Sequence, residues 1–191
     1  MGVLMRCRDV SGRPVVTLDE GDDVAEVKDV VFDGAEGVVV GLTLNGRGLF
    51  SGPLHEVLPW SRVSALGPDA VMVDGRDALG TPDGAMEAAG ADPQGDVIGA
   101  RVITDGGKAL GEVVDVVIEV GERAELVGFE MVGPDAGRDA PTLLIPADRT
   151  IAVSGEALIV PAETERFVRE DMSAFDGAVA DFRNRLEEDA S

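Results

Sequence analysis

Two carboxylates three residues apart, Glu26 and Asp29, recur in the second half of the chain as Glu112 and Asp115. Paired acids of this kind are what proton-transfer chemistry uses when both reach one substrate atom. Here both pairs lie in valine-rich, strand-like runs, where residues three apart point to opposite faces, so the pair cannot flank one atom without a bulge. Asp29 and Asp115 are therefore read as structural, each bonding a neighbouring turn amide. His55 is the sole histidine, and no Gly-x-Ser-x-Gly elbow accompanies it, so a triad lacks its parts and His55 reads as a surface or rim residue. The glycine-rich pieces 45–48 and 105–108 have no Gly-Lys-Ser/Thr and no helix after them, which makes them turns and not phosphate cradles. The acidic clusters 19–23 and 119–125 lack EF-hand spacing and read as solvated turns. Cys7 is alone, which excludes an internal disulfide and a cysteine-based zinc site. The expectation is no catalytic residue, no cofactor and no metal.

What holds these residues in place is a duplicated unit. Residues 24–33, Val-Ala-Glu-Val-Lys-Asp-Val-Val-Phe-Asp, return 86 positions later as Leu-Gly-Glu-Val-Val-Asp-Val-Val-Ile-Glu at 110–119. Residues 58–63 and 70–73 return at 145–150 and 157–160, now 87 apart. The shared positions are apolar residues, glycines and turn residues, including Gly41 and Gly128, Pro59 and Pro146, Arg62 and Arg149, so what is copied is shape. Hydrophobic residues make up 45% of the chain but aromatics only 4%, without tyrosine. The cores must then be built from valine, leucine, isoleucine and alanine, and the β-branched excess favours strands.

In the first copy, residues 14–17 and 24–32 form a predicted hairpin around the turn-forming 19–23 cluster. A strand over 38–44 ends at Asn45-Gly46, resumes from Leu54 to Trp60, and is closed by 71–73. The second copy repeats the order with 101–104, 110–120, 126–132, 142–146 and 157–160. Short strands separated by turns, without helical periods between them, suggest a sandwich or barrel, and a unit this small favours the barrel. The expected division is a first barrel over 1–78, a flexible Gly/Pro/Ala linker over 79–95 with at most one helical turn near 85–89, a second barrel over 96–162, and an extension over 163–191. In that extension Phe167, Phe175, Val179, Phe182 and Leu186 recur at near-helical steps, predicting an amphipathic helix from Glu163 to Glu188 with Thr164 at its start. Its three phenylalanines need cover, either from a barrel of the same chain or from the same helix of a second chain.

The run Glu-Val-x-Asp-Val-Val (26–31 and 112–117), followed by Val-Gly-Leu or Val-Gly-Phe and then Leu-Pro or Ile-Pro before an arginine, resembles the PRC-barrel family in both copies. The resemblance implies a mainly β protein: two tandem small antiparallel PRC-type barrels plus a C-terminal amphipathic α-helix. The same barrel occurs in the H subunit of photosynthetic reaction centres and in the C-terminal domain of the ribosome-maturation factor RimM, and it implies docking on other proteins, not catalysis. The chain shows neither the membrane helix expected of an H subunit nor the dissimilar N-terminal domain of RimM.

The formal charge is −21, from 37 acidic against 16 basic residues. Such a field repels nucleic-acid phosphates and anionic lipid and steers basic proteins toward the surface. With no apolar stretch long enough to span a bilayer, the reading is a soluble, cytoplasmic, non-catalytic scaffold or adaptor with a protein partner, a basic one by charge. The alternatives are a ribosome-maturation accessory factor that engages a basic ribosomal protein, and a small-molecule-binding module. Leu49 and Phe50, an apolar pair on the polar 45–55 loop, join His55, Phe167, Phe175 and Phe182 as candidate interaction residues.

Overall fold

The computed structural model describes residues 2–33, 36–48, 51–89, 97–137, 140–147, 152–154 and 157–189. The chain begins with β1 (Val3–Arg6) and the short α1 (Cys7–Val10), followed by β2 (Pro14–Thr17), β3 (Asp23–Asp33), β4 (Val38–Asn45), β5 (Pro53–Pro59), β6 (Val63–Leu66), β7 (Val71–Val73) and α2 (Gly84–Ala89). It continues with β8 (Arg101–Thr104), β9 (Ala109–Val120), β10 (Ala124–Val132), β11 (Leu143–Pro146), β12 (Ala152–Ser154), β13 (Ala157–Val160) and α3 (Met172–Asp189). The protein is mainly β, as the strand periods predict.

Two compact units result. One comprises Cys7–Gln94 with Val120–Glu125; the other comprises Met1–Arg6, Gly95–Glu119 and Leu126–Ser191. This departs from the expected boundaries at 78, 95 and 162 in three places. Strand β1 belongs with the second copy, residues 120–125 belong with the first, and α2, inside the supposed linker, packs on the first copy. Glu125 accordingly pairs with Val38 of β4.

Within the first unit the strand order is β5-β4-β3-β2-β7-β6. The predicted hairpin is present: β2 and β3 run antiparallel, and the turn between them is closed by Thr17 N–H to Asp22 O and by Asp22 N–H to Thr17 Oγ1. Pairing of β2 with β7, however, is parallel. The 3₁₀ turn Trp60–Arg62 carries β5 into β6 without a hairpin, so β7 returns in the direction of β2. The second unit has the corresponding order β11-β10-β9-β8-β13-β12, again with a parallel pair, β8 with β13. The mainly antiparallel module expected takes the form of a curled half-barrel sheet, with one parallel seam in each copy.

Each curled sheet is tied at its ends in the same way. After β7, a 3₁₀ turn (Arg76–Ala78) leads back so that Gly80 exchanges both backbone hydrogen bonds with Val57 of β5. After β13, a 3₁₀ turn (Ala162–Phe167) leads Arg169 into the same exchange with Leu144 of β11. The predicted continuous helix from 163 to 188 is therefore interrupted, because a residue that bridges a strand cannot also continue a helical ladder. Val168 is extended (φ −64°, ψ 135°), and α3 starts only at Met172. Thr164 lies inside the 3₁₀ turn, which Pro161 precedes.

A helix then covers the face that each tie leaves open. In the first unit Met86 of α2 packs with Val31, Val40, Val38 and Val57. In the second, Phe175, Ala178 and Val179 of α3 pack with Val117, Val127 and Leu144, the repeat counterparts of Val31, Val40 and Val57. Gly41 and Gly128 make room for these helices. A β-carbon on Gly128 would stand 2.6 Å from Cζ of Phe175 and 2.5 Å from O of Ile145, and one on Gly41 would stand on the Met86 thioether and 2.8 Å from O of Leu58. Opposite them across the ladder lie Pro59 and Pro146, both buried. The structural repeat is thus longer than the sequence repeat: α2 and α3 are counterparts that share almost no sequence.

Candidate functional site

The expected structural carboxylates behave differently in the two copies. In β3 a bulge at Lys28 shifts the register from Val27 opposite Leu44 to Asp29 opposite Thr43. Glu26, opposite Asn45, and Asp29, opposite Thr43, therefore share a face, which corrects the expectation of opposite faces. They remain separately engaged: Glu26 accepts a hydrogen bond from Arg47 (2.9 Å), and Asp29 lies 3.6 Å from the Lys28 ammonium. The Asp29 backbone N–H meets Thr43 Oγ1 at 3.1 Å. Asp115, by contrast, is buried and accepts the adjacent Val116 N–H at 2.8 Å. The amide is the next one along its own strand, and not that of a neighbouring turn as expected.

Around Arg47 the first unit opens into a cleft of about 490 Å³. Its walls come from the β2–β3 turn (Asp19, Glu20, Asp22, Asp23), from the β4–β5 loop (Arg47, Ser51, Leu54) and from Arg76. The turn forms because its short polar side chains satisfy its own backbone: Asp19 Oδ1 accepts the Glu20 N–H at 2.8 Å. On the loop, Gly46 N–H meets Gly52 O at 3.0 Å and the Ser51 hydroxyl donates to Arg47 O at 2.6 Å. The Arg47 guanidinium pairs with both Asp23 and Glu26, while Asp19, Glu20 and Asp22 present exposed carboxylates. Two arginines against four turn acids leave the lining net acidic. Leu18, on the same turn, is 58% exposed.

Of the candidate interaction residues, Leu49 and Phe50 lie outside the described residues, as does Arg149 among the repeat positions, but their loop neighbours Arg47, Ser51 and Leu54 line the cleft. His55 is exposed on β5 and is not part of the lining. Arg62 donates to Asp77 O at 2.6 Å, a bond that fixes the 3₁₀ turn. Phe175 and Phe182 are 0% and 1% exposed inside their own unit, and Phe167 meets Phe182 edge to face with ring centroids 5.3 Å apart. Of the two covers left open for these rings, the one in place is the chain's own sheet, which withdraws them as surface residues.

Sequence reasoning missed a second polar group. Glu130, on β10, is fully buried, 3.1 Å from Nε of Arg6, and accepts the Thr142 hydroxyl. A single acid in the otherwise apolar run 126–132 was its only signal. Glu119, at the end of β9, accepts Gly2 N–H at 2.9 Å and Arg183 Nη1 at 2.8 Å. The Gly2 bond foremost, and Arg183 with it, hold the Glu119 carboxyl below the ordinary glutamate value against the opposing effect of burial.

A curled sheet tied at its ends, capped by a helix and carrying its polar cleft on turns defines a small β-barrel type of module. Residues 2–79 match the PRC-barrel domain family, and this part of the chain belongs to it. Such domains are small β modules that often bind proteins. Comparison with curated proteins gives no match for the chain. Among the described residues no helix is long and apolar enough to cross a membrane.

Proposed function

We propose that the chain is a non-catalytic protein-binding scaffold in which a second PRC-type module, over residues 97–160, follows the first. Support for the second module comes from the strand order, the parallel seam, the backbone tie and the capping helix, all of which recur. The observation that carries the binding role is the acidic cleft of the family-matched unit, displayed on turns and flanked by an exposed leucine. Exposed carboxylates beside an apolar rim favour a basic, partly apolar protein segment, and two related modules on one chain raise avidity for a repeated or dimeric partner. Three of the candidate carboxylates support the same reading, since Glu26 is held by Arg47, Asp29 by Lys28 and Asp115 by a backbone amide.

The test is affinity capture with the wild-type chain beside a variant carrying Asp19→Asn, Glu20→Gln and Asp22→Asn. A partner retained by the first, reduced with the second and weakened by salt is the expected result. The same partners at the same yield on both baits would refute the cleft as the docking site. A net charge of −21 favours a basic ribosomal protein over direct RNA contact in the ribosome-maturation version of this reading. Co-sedimentation with ribosomal precursor particles decides that version.

A further inference from the structure

Strand β9 is longer than the strand that pairs with it. The register with β8 runs from Ala109 to Glu112, and among the described residues the last backbone bonds on that side join Val113 to Gly99 and Ala100. Beyond this point β9 continues to Val120, and β1 pairs with it. The Gly2–Glu119 hydrogen bond places β1 at the end that β8 does not reach. Leu4 of β1 packs against the Val117, Leu144 and Phe175 cluster, and two residues on, hence on the same face, Arg6 reaches the buried Glu130. Val3, on the other face, is 60% exposed.

From this we infer that the stretch of β9 beyond Val113, with the cluster under Leu4 and with Glu130, is a strand-receiving site occupied by the chain's own β1, and that its exchange ligand is an extended segment of a basic partner carrying an aliphatic residue two positions before an arginine. Backbone pairing along a sheet edge supplies sequence-independent affinity, and alternate side chains supply selectivity. Here the aliphatic side chain meets the α3 cluster, and the arginine meets a carboxylate with no exposure to water. A lysine or a neutral residue there would forgo the guanidinium Nε–H that meets Glu130 at 3.1 Å. The occupant is short for a strand, four residues with none of them fully buried, and the chain from Cys7 onward belongs to the other unit. The inference deepens the protein-binding reading and rests on it, but at a site separate from the acidic cleft.

The experiment uses a fluorescein-labelled peptide copy of residues 2–8 with Cys7→Ser, titrated by anisotropy into the full chain and into its Leu4→Asp/Arg6→Ala variant. Loss of the internal competitor should tighten peptide binding by at least about tenfold, the worth of one charge-assisted hydrogen bond. An Arg6→Ala peptide, or Glu130→Gln added to the variant, should reverse that gain. A variant with unchanged far-UV circular dichroism that binds the peptide no better than wild type overturns the site while leaving capture through the cleft untouched. Hydrogen exchange on the wild-type chain covers the case of a misfolded variant: β1 amides should exchange well ahead of those of β10, and equal protection refutes an exchangeable strand. A wild-type dimer that dissociates on Arg6→Ala would assign the site to β1 of a second copy and overturn the partner segment.

Discussion

Replacing Phe175 with alanine tests the central packing claim, that α3 belongs to the core of its own unit. The ring is completely buried among Val117, Val127, Leu144, Ala178 and Val179 and rests on Gly128, whose missing β-carbon leaves the ring's space without a second wall. Truncating a buried phenylalanine costs about 3–5 kcal/mol, the larger figure where neighbours cannot collapse inward. A glycine floor cannot reach up to fill the void, so the expected loss lies in the upper half of that range. For a unit of this size each kcal/mol lowers the melting midpoint by about 4–8 °C, so the transition should fall by at least about 16 °C. Far-UV circular dichroism follows it, at two protein concentrations tenfold apart. A self-contained core predicts a midpoint independent of concentration for both proteins. A shift of only a few degrees, or a midpoint that climbs with concentration, would refute the assignment and return the ring to an interface between chains.

Gly128→Ala and Gly41→Ala should each cost about 1–3 kcal/mol in urea unfolding, because the added methyl meets a backbone carbonyl in both sites. Met86→Ala should recover part of the Gly41→Ala loss and nothing of the Gly128→Ala loss, a pattern readable in a double-mutant cycle. Glu119 has a folded-state pKa below its unfolded one, so its contribution is full above the ordinary glutamate range and vanishes as pH falls through the depressed value. The urea-midpoint gap between wild type and Glu119→Gln should accordingly be constant near neutrality and close in acid. Arg47 is 42% exposed at its side chain. Arg47→Ala should therefore change stability by less than about 1 kcal/mol, despite its two ion pairs, as measured by the same unfolding series.

Much of this architecture is written in local pattern. The duplicated Glu-Val-x-Asp-Val-Val runs, the alternating valines and the 19–23 turn cluster place β2 to β4 and β8 to β10 correctly, since a strand's face and a turn's chemistry depend on near neighbours. The phenylalanine spacing announces α3 for the same reason. The candidate cleft was half legible, with its loop singled out for an apolar pair while Arg47 and the acids opposite it were read as solvated turn residues.

Other features depend on residues distant in sequence, and no local period can report those. The bulge at Lys28 is a register event between β3 and β4, and it decides which face Asp29 takes. The break in the expected 163–188 helix exists because Arg169 finds Leu144 across the sheet. The equivalence of α2 and α3 rests on two glycines that leave room for a methionine in one copy and a phenylalanine in the other, a match of space without a match of letters. The assignment of β1 to the second copy, through Arg6 and a glutamate 124 positions away, follows from the cost of burying a carboxylate without a cation. Composition and periodicity determine that this chain makes two sets of strands; which segment completes each set is decided only when the sheets curl and their open edges and buried charges must be satisfied.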